Sequence, residues 1–279
     1  MLEDILVVIK GGGDLATGVV HRLCRAGMQV VVTELAQPTV IRRAVAVASA
    51  VYEGQVEVEG LVARLVESDQ QTCTERSERI RAILAVGLVP VVVDPRGEVI
   101  SRLRPTVVVD AIVAKRNTGT RITDAPIVIG LGPGFTAGLD VHAVIETNRG
   151  HHLGRVILSG SAEPDTGVPG PTMGYTVERV LRAPCEGIFK GQRRIGDPVE
   201  AGDAVASVAG QPVVANISGV LRGLLADGLP VKAGAKVGDV DPRGVREHCF
   251  TISDKALAIG GGVLEAILYL LRQRLDIGD

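Results

Sequence analysis

Gly11, Gly13 and Ala16 stand in the pattern Gly-x-Gly-x-x-Ala, with Gly12 between the first two and Glu34 placed 21 positions after Gly13. Residues of these types at this spacing let a backbone turn approach a pyrophosphate and put a carboxylate within reach of a ribose 2′-hydroxyl. No arginine stands beside Glu34, which favours an NAD-type ribose over one carrying a 2′-phosphate. Asp14 opposes the reading, because its carboxylate falls where a helix N-terminus would receive the phosphate and is expected instead to cap the helix at Thr17. The alternative is a plain capped turn. A second glycine-rich run, Gly130 to Gly138, contains Gly132 and Gly134 and can converge N–H groups on an anion or simply make a tight turn. Glu146 to His152 is dense in polar groups, among which Arg149, His151 and His152 suit phosphate binding or proton transfer; a solvated hairpin tip is the competing reading. The candidate binding residues are therefore Gly11, Gly12, Gly13, Asp14, Glu34, Gly132, Gly134 and Arg149. No set of catalytic residues emerges, and neither cysteines nor histidines show metal-ligand spacing.

The elements that must hold these residues follow from hydrophobic periodicity. Ile5 to Ile9 and Val30 to Val32 are continuous apolar runs suited to strands buried on both faces of a parallel sheet. Between them Leu15, Val19, Leu23 and Ala26 recur at helical spacing and Gly27 is placed to stop the helix. A helix from Pro38 to about Val51 is expected, with Val40, Ile41, Ala44, Val45 and Ala48 inward. Gln55 to Glu59 then alternates like an edge strand. Thr72-x-x-Glu75 reads as a capping box before a helix buried through Ile80, Ile83 and Leu84. Val89 to Val93, Val107 to Val109 and Pro126 to Gly130 are further strands, and Asp140 to Thr147 with Arg155 to Leu158 forms a hairpin. In a parallel sheet Glu34, Asp94 and Asp110 would all face the crevice at the strands' carboxyl ends, although acids there also cap turns. Lys115, Arg116 and Asn117 would bring cations or only a loop to the same rim. Residues 159–176, rich in glycine and proline, read as a linker or a loop over the crevice.

Composition narrows the class. A chain of 279 residues with net charge −2 has room for two ordinary domains. It shows no basic stripe, and its aromatic content of 2% offers few rings for stacking, so nucleic acid is not an expected partner. No run approaches the roughly 18 apolar residues of a membrane span. Four scattered cysteines and the lack of a leader-like segment point to a reducing, cytoplasmic setting.

From Ala183 the chain repeats itself. Ala183, Gly187, Gly196, Pro198, Val199, Ala201, Gly202, Val205 and Val208 recur as Ala215, Gly219, Gly228, Pro230, Val231, Ala233, Gly234, Val237 and Val240 at a constant offset of 32. The pattern resembles the two pseudo-symmetric halves of a biotinyl or lipoyl carrier domain. Carriers place the modified lysine at the turn between the halves, whereas Ala209-Gly210-Gln211-Pro212 stands here. The expected role is packing, docking or gating. The chain closes with Asp254 to Leu275, an apolar helix expected to follow an interruption at Gly260-Gly261-Gly262 and to return to the first domain. The architecture expected is α/β: a Rossmann-like, mostly parallel sheet domain over residues 1–176, a small all-β sandwich over 177–245, and a C-terminal helix in 246–279 packing back on the first domain.

The chain as a whole resembles the YqeB-type family, accessory proteins of selenium-dependent molybdenum hydroxylase systems. The resemblance rests on Gly12 to Gly18, Thr33 to Pro38, Gly132 to Gly138, Asp140 to Thr147 and Gly260 to Ala266. It implies maturation of a molybdenum hydroxylase through sulfur or selenium insertion or through delivery of a molybdopterin-type dinucleotide, and it supplies no catalytic residues. The leading expectation is an accessory protein whose crevice holds a nucleotide-type small molecule, NAD or a molybdopterin dinucleotide, and whose sandwich docks on a molybdenum hydroxylase client. An NAD-dependent oxidoreductase would need a proton donor, for which His142, His151 and Lys115 are available. The third reading is a non-catalytic interaction scaffold. Oligomeric state is left open.

Overall fold

The computed structural model describes residues 2–67 and 73–277. The Thr72 half of the expected capping box lies outside them. The chain divides into two compact units, one comprising Met1–Ala36, Val47–Asp165 and Ser253–Asp279 and the other Gln37–Ala46 and Thr166–Ile252.

Among the described residues of the first unit, nine strands form one mostly parallel sheet. They are β1 (Leu6–Lys10), β2 (Gln29–Glu34), β3 (Gln55–Val58), β4 (Leu61–Val66), β5 (Val89–Val93), β6 (Val107–Asp110), β7 (Ile127–Leu131), β8 (Ala143–Ile145) and β9 (Val156–Ile157). Their order is β3-β4-β5-β2-β1-β6-β7-β8-β9. Only the edge pairs β3–β4 and β8–β9 are antiparallel, the first joined by a two-residue hairpin turn. Val7, Val8 and Ile9 are wholly buried, as are Val107 to Val109 and Ile127 to Ile129, so the continuous apolar runs have helices or loops over both faces. Strand order reverses at β1, which pairs with β2 on one side and β6 on the other. That is the topological switch point where open α/β sheets form a crevice at the carboxyl ends.

Five helices accompany these strands among the described residues: α1 (Asp14–Arg25), α2 (Ala50–Glu53), α3 (Cys73–Ala85), α4 (Glu98–Leu103) and α5 (Asp254–Ile277). The helix expected from Pro38 to Val51 does not form. Its helical spacing is overridden by partners in the second unit: Ile41 gives its carbonyl to the Leu224 N–H at 2.8 Å, and Arg43 Nε donates to the Leu224 carbonyl at 3.0 Å. Short 3-10 turns at Arg43–Val45 and Val47–Ser49 and the single turn of α2 take its place.

The glycine triplet is likewise not an interruption. α5 begins at Asp254, where Ser253 Oγ accepts the Ala256 N–H at 3.2 Å, and runs on through Gly260 to Gly262. A β-carbon at Gly260 would strike the Gly18 carbonyl of α1, one at Gly18 would strike the Ala256 carbonyl of α5, and one at Gly262 would strike the Gly154 carbonyl. The helices therefore cross backbone to backbone, and two of the three glycines are required by contact.

The second unit holds β10 (Val180–Arg182), β11 (Gly187–Gly191), β12 (Pro198–Val199), β13 (Ala204–Val208), β14 (Gln211–Val214), β15 (Gly219–Leu224), β16 (Pro230–Val231) and β17 (Lys236–Asp241). They make two four-stranded antiparallel sheets, β10-β17-β15-β12 and β14-β13-β11-β16. The repeat explains this order: exchanging each strand for its copy 32 residues on converts one sheet into the other, so each sheet takes strands from both halves. Val205, Val208, Val237 and Val240, equivalent in pairs, are fully buried in the core between the sheets. At the β13–β14 hairpin tip Ala209 and Gly210 both take positive φ, 46° and 82°, as a two-residue hairpin turn demands. No lysine is presented there.

Gly261 lies in α5 with nothing near its missing side chain, unlike Gly260. Gly261→Ala is expected to raise stability by about 0.5–1 kcal/mol through helix propensity. Gly260→Ala is expected to lower it by about 1–3 kcal/mol through overpacking against α1. Urea unfolding of the two variants checks both signs.

Candidate functional site

The crevice at the β1/β6 switch is built on a buried lock. Lys10 ends β1 and is paired in register with Asp110, which ends β6. The Lys10 Nζ donates to Thr120 Oγ1 at 2.5 Å, and that hydroxyl donates in turn to Asp110 Oδ2 at 2.5 Å. Lys10 and Asp110 also form an ion pair at 3.4 Å, with Asp110 only 1% exposed. Asn117 holds Thr120 in place: its Oδ1 accepts the N–H groups of Gly119 and Thr120, each at 2.8 Å. A buried charge is tolerable only when paired and hydrogen-bonded, and this arrangement fixes the loop after β6 at the crevice floor.

Glu34 and Asp94 reach the same rim with different roles. Asp94 Oδ2 accepts the Val99 N–H at 2.7 Å, a turn-capping use. Glu34 Oε2 accepts the Gly12 N–H at 2.7 Å and Oε1 the Leu35 N–H at 2.7 Å. The acid thus closes on the glycine turn itself. The turn is covered as well, since Gly12 gives its carbonyl to the Ala48 N–H at 2.9 Å and a β-carbon at Gly12 would lie 2.9 Å from Ala48 N. Gly11, at φ 87°, is tight against Ala111 and Ile112.

Asp14 is the first residue of α1. Gly13 is the N-cap, at φ −64° and ψ 179°, with no side-chain cap bond. Thr17, expected to be capped by Asp14, turns its hydroxyl to the Gly13 carbonyl at 3.1 Å and accepts the Val47 N–H at 3.0 Å.

Gly132 and Gly134 follow β7, both at positive φ, and each meets protein. A side chain at Gly132 would collide with Thr147 Oγ1, and one at Gly134 with the Arg116 backbone, 2.6 Å from its Cα. Their turn supports the loop carrying Lys115, itself at φ 63°. The polar run after β8 is ordered by Glu146, which is 2% exposed. Its Oε1 accepts the Asn148 N–H at 2.7 Å and its Oε2 the Glu163 N–H at 2.8 Å. Arg149 is held in a two-pronged pair with Asp254 at 2.7 and 3.0 Å. Lys115 pairs with Asp165 at 3.6 Å.

Sequence reasoning missed the residue at the centre of this group. Lys255, in the first turn of α5, is half-buried. Its amine is held below the ordinary lysine range by burial first, then by the positive charges of Lys115 and Arg149, with Asp14 and Glu146 acting in the opposite sense. One signal was available, because a lysine in the first turn of a helix is electrostatically out of place.

The proton donors suggested for a dehydrogenase are not assembled. His142 precedes β8, at the amino end of its strands, where Nδ1 accepts the Val128 N–H at 2.9 Å. It lines a cleft of about 630 Å³ with Arg104 and Arg274 on that opposite rim. Burial, followed by the charge of Arg274, lowers its pKa. His151 and His152 are exposed and meet edge to face at 5.0 Å. Two thiols are poorly suited to sulfur chemistry: burial pushes Cys24 up to about 12, and burial raises Cys249, whose Sγ donates to the Leu221 carbonyl at 3.7 Å. Cys185 lies in the first turn of the repeat, donating to the Val208 carbonyl at 3.4 Å.

No protein-family model matches the chain. A curated protein of Escherichia coli (strain K12), described as uncharacterized protein YqeB, is 52% identical over 270 residues, which is 96% of this chain and 48% of that protein. The two are homologues. The chain spans about half the length of this relative. Among solved structures, the Escherichia coli tRNA N6-threonylcarbamoyladenosine dehydratase TcdA covers 97% of this chain and 89% of its own, at 13% identity and a TM-score of 0.32. An aspartoacylase family protein from Mesorhizobium loti covers 84% of each chain, at 12% identity and a TM-score of 0.26. Scores this low carry no argument about fold or chemistry.

Thr120→Val removes the hydroxyl shared by Lys10 and Asp110 while keeping its volume. Leaving those buried charges short of a partner is expected to destabilise the protein by about 1–3 kcal/mol, read as a lower urea midpoint with an unchanged slope.

Proposed function

We propose that this chain is an accessory protein of a molybdenum hydroxylase, whose first unit binds a nucleotide-bearing small molecule and whose second unit docks on the client enzyme. The observation that carries the binding part is the switch point between β1 and β6, fixed by the Lys10–Thr120–Asp110 lock, with Lys115 on the loop after β6 and Arg149 on the turn after β8 following strands of the same parallel sheet. A crevice outside the carboxyl ends at a switch point is where open α/β sheets take ligands. Cations there suit the phosphates of a molybdopterin dinucleotide. NAD held in the usual dinucleotide manner fits less well, because the Gly12 N–H is already given to Glu34.

The accessory role is proposed from the resemblance to YqeB-type proteins, and two features of the second unit accord with docking. Its hairpin tip at Ala209 and Gly210 carries no lysine for a swinging cofactor. The outer face of its β14-β13-β11-β16 sheet exposes Ile188 and Val214, while their neighbours Phe189 and Val213 point into the core. Register sets the two apart, Ile188 level with Ala209 and Val214 with Ala204, and Ile188, 56% exposed, is the apolar side chain offered to another protein.

Calorimetric titration with molybdopterin cytosine dinucleotide, CTP and NAD at one fixed salt concentration tests the binding part. Micromolar or tighter binding of the pterin compound, with CTP weaker and NAD weakest, is expected; heat from none of the three would remove it. Ile188→Glu is expected to fold normally, to keep that binding, and to lose at least about tenfold in affinity for the client hydroxylase, a loss of roughly 1.4 kcal/mol. Unchanged activation of the client by this variant would remove the docking surface.

A further inference from the structure

Three parallel strands of the first unit begin at the sheet edge opposite the β1/β6 crevice. Thr106 stands directly before β6, Pro126 before β7 and His142 before β8. In register, Val107 lies beside Ile127 and Ala143 beside Ile129. Hydrogen bonds tie these starts together: the Ile127 N–H donates to the Thr106 carbonyl at 3.1 Å and the His142 N–H to the Val128 carbonyl at 2.7 Å. The last turn of α5 comes to the same edge, where Arg274 Nη2 donates to the Pro126 carbonyl at 2.5 Å. The cleft of about 630 Å³ is lined by these strand starts, the end of α4 and Arg274. Its volume is that of a small-molecule site.

The polar groups in it come from separate elements. Arg104 ends α4 as its C-cap, at φ 46° and ψ 59°, a left-handed place usually given to glycine. Pro105 follows it. An arginine kept there against backbone strain is the kind of outlier that gathers at ligand clamps. Arg274 carries five N–H donors in a planar fork, so its bond to Pro126 leaves donors over for a ligand. His142 Nδ1 accepts the Val128 N–H at 2.9 Å; the ring therefore carries its hydrogen on Nε2 and donates from there.

One carboxylate, Asp124, also lines the cleft. It is engaged by Arg121, whose N–H donates to Oδ2 at 3.0 Å and whose Nε lies 3.8 Å from Oδ1. Two arginines thus face a single acid that already has a cation of its own. Between the polar groups the walls are aliphatic, through Ile100 and Ile122, and no phenylalanine, tyrosine or tryptophan lines the cleft among the described residues. A nucleobase would find no ring to stack on, whereas a carbon chain would find apolar contact. Two guanidinium forks on different elements suit two carboxylates.

We infer that the cleft at the amino end of β6, β7 and β8 binds an aliphatic dicarboxylate, with Arg104 and Arg274 each taking one carboxylate and His142 donating its Nε2–H to the ligand. This is a second small-molecule site, independent of the nucleotide reading of the opposite crevice.

Calorimetric titration of the whole chain with succinate, glutarate, adipate and pimelate, and with hexanoate as the single-carboxylate control, tests it. At least one of the four dicarboxylates is expected to bind with a Kd of about 1 mM or tighter, and hexanoate to bind at least about tenfold more weakly. Arg104→Gly suits the left-handed backbone and is expected to fold, yet to lose about tenfold or more in affinity for that dicarboxylate. Arg274→Lys keeps a cation without the planar fork and is expected to lose several-fold, while Lys232→Met, exposed on the second unit, changes nothing. Equal dicarboxylate binding by wild type and by folded Arg104→Gly overturns the inference. So does hexanoate binding as tightly as the dicarboxylates, or heat from none of the acids. Dicarboxylate binding through Arg104 in a chain without nucleotide affinity supports this site and removes the nucleotide reading, and nucleotide binding without dicarboxylate binding does the reverse.

Discussion

The first unit depends on one close contact, the crossing of α1 and α5 at Gly18 and Gly260, where neither helix tolerates a β-carbon. Packed at that distance, a helix 24 residues long from the far end of the sequence covers the sheet beside the helix that follows β1. Its first turn then comes to the rim that α1 also starts from. This is how Lys255 comes to share a neighbourhood with Asp14, Glu146 and Arg149, residues more than a hundred positions away. Without the two glycines the apolar surface of α5 could still be buried, but its charged end would sit elsewhere.

Beneath that rim the polar chemistry is graded by burial. Lys10, Thr120 and Asp110 are enclosed and fully engaged, and they serve as architecture. Glu146 is equally enclosed and spends both oxygens on backbone N–H groups of the surrounding loops. Further out, Arg149 and Lys115 are in exposed pairs, and Lys255 is half-buried.

Much of this fold was legible because the relevant signals were local. The parallel strands announced themselves as valine and isoleucine runs buried on both faces, and the 32-residue repeat became a sandwich in which β10 to β13 and β14 to β17 exchange places. Where sequence reasoning failed, a distant partner decided the outcome. Residues 38–51 had helical spacing, but Ile41 and Arg43 bond to Leu224 of β15, while Val47 and Ala48 bond to Thr17 and Gly12. Gly260 to Gly262 read as a break because their contacts, Gly18 and Gly154, are not visible in sequence. The glycine fingerprint was read correctly as a turn after β1, yet the use of Glu34 to close that turn and the cover laid by Ala48 are tertiary facts. Lys255 escaped notice for the same reason: its neighbours come from three other segments.

The measurement that bears most directly on the crevice is the crystal structure of the chain with CTP bound. Phosphate oxygens beyond the carboxyl ends of β1 and β6, with the Gly12–Glu34 bond intact, are the predicted result. Phosphates resting on Gly11 to Gly13, with Glu34 displaced onto the ribose, would contradict the account.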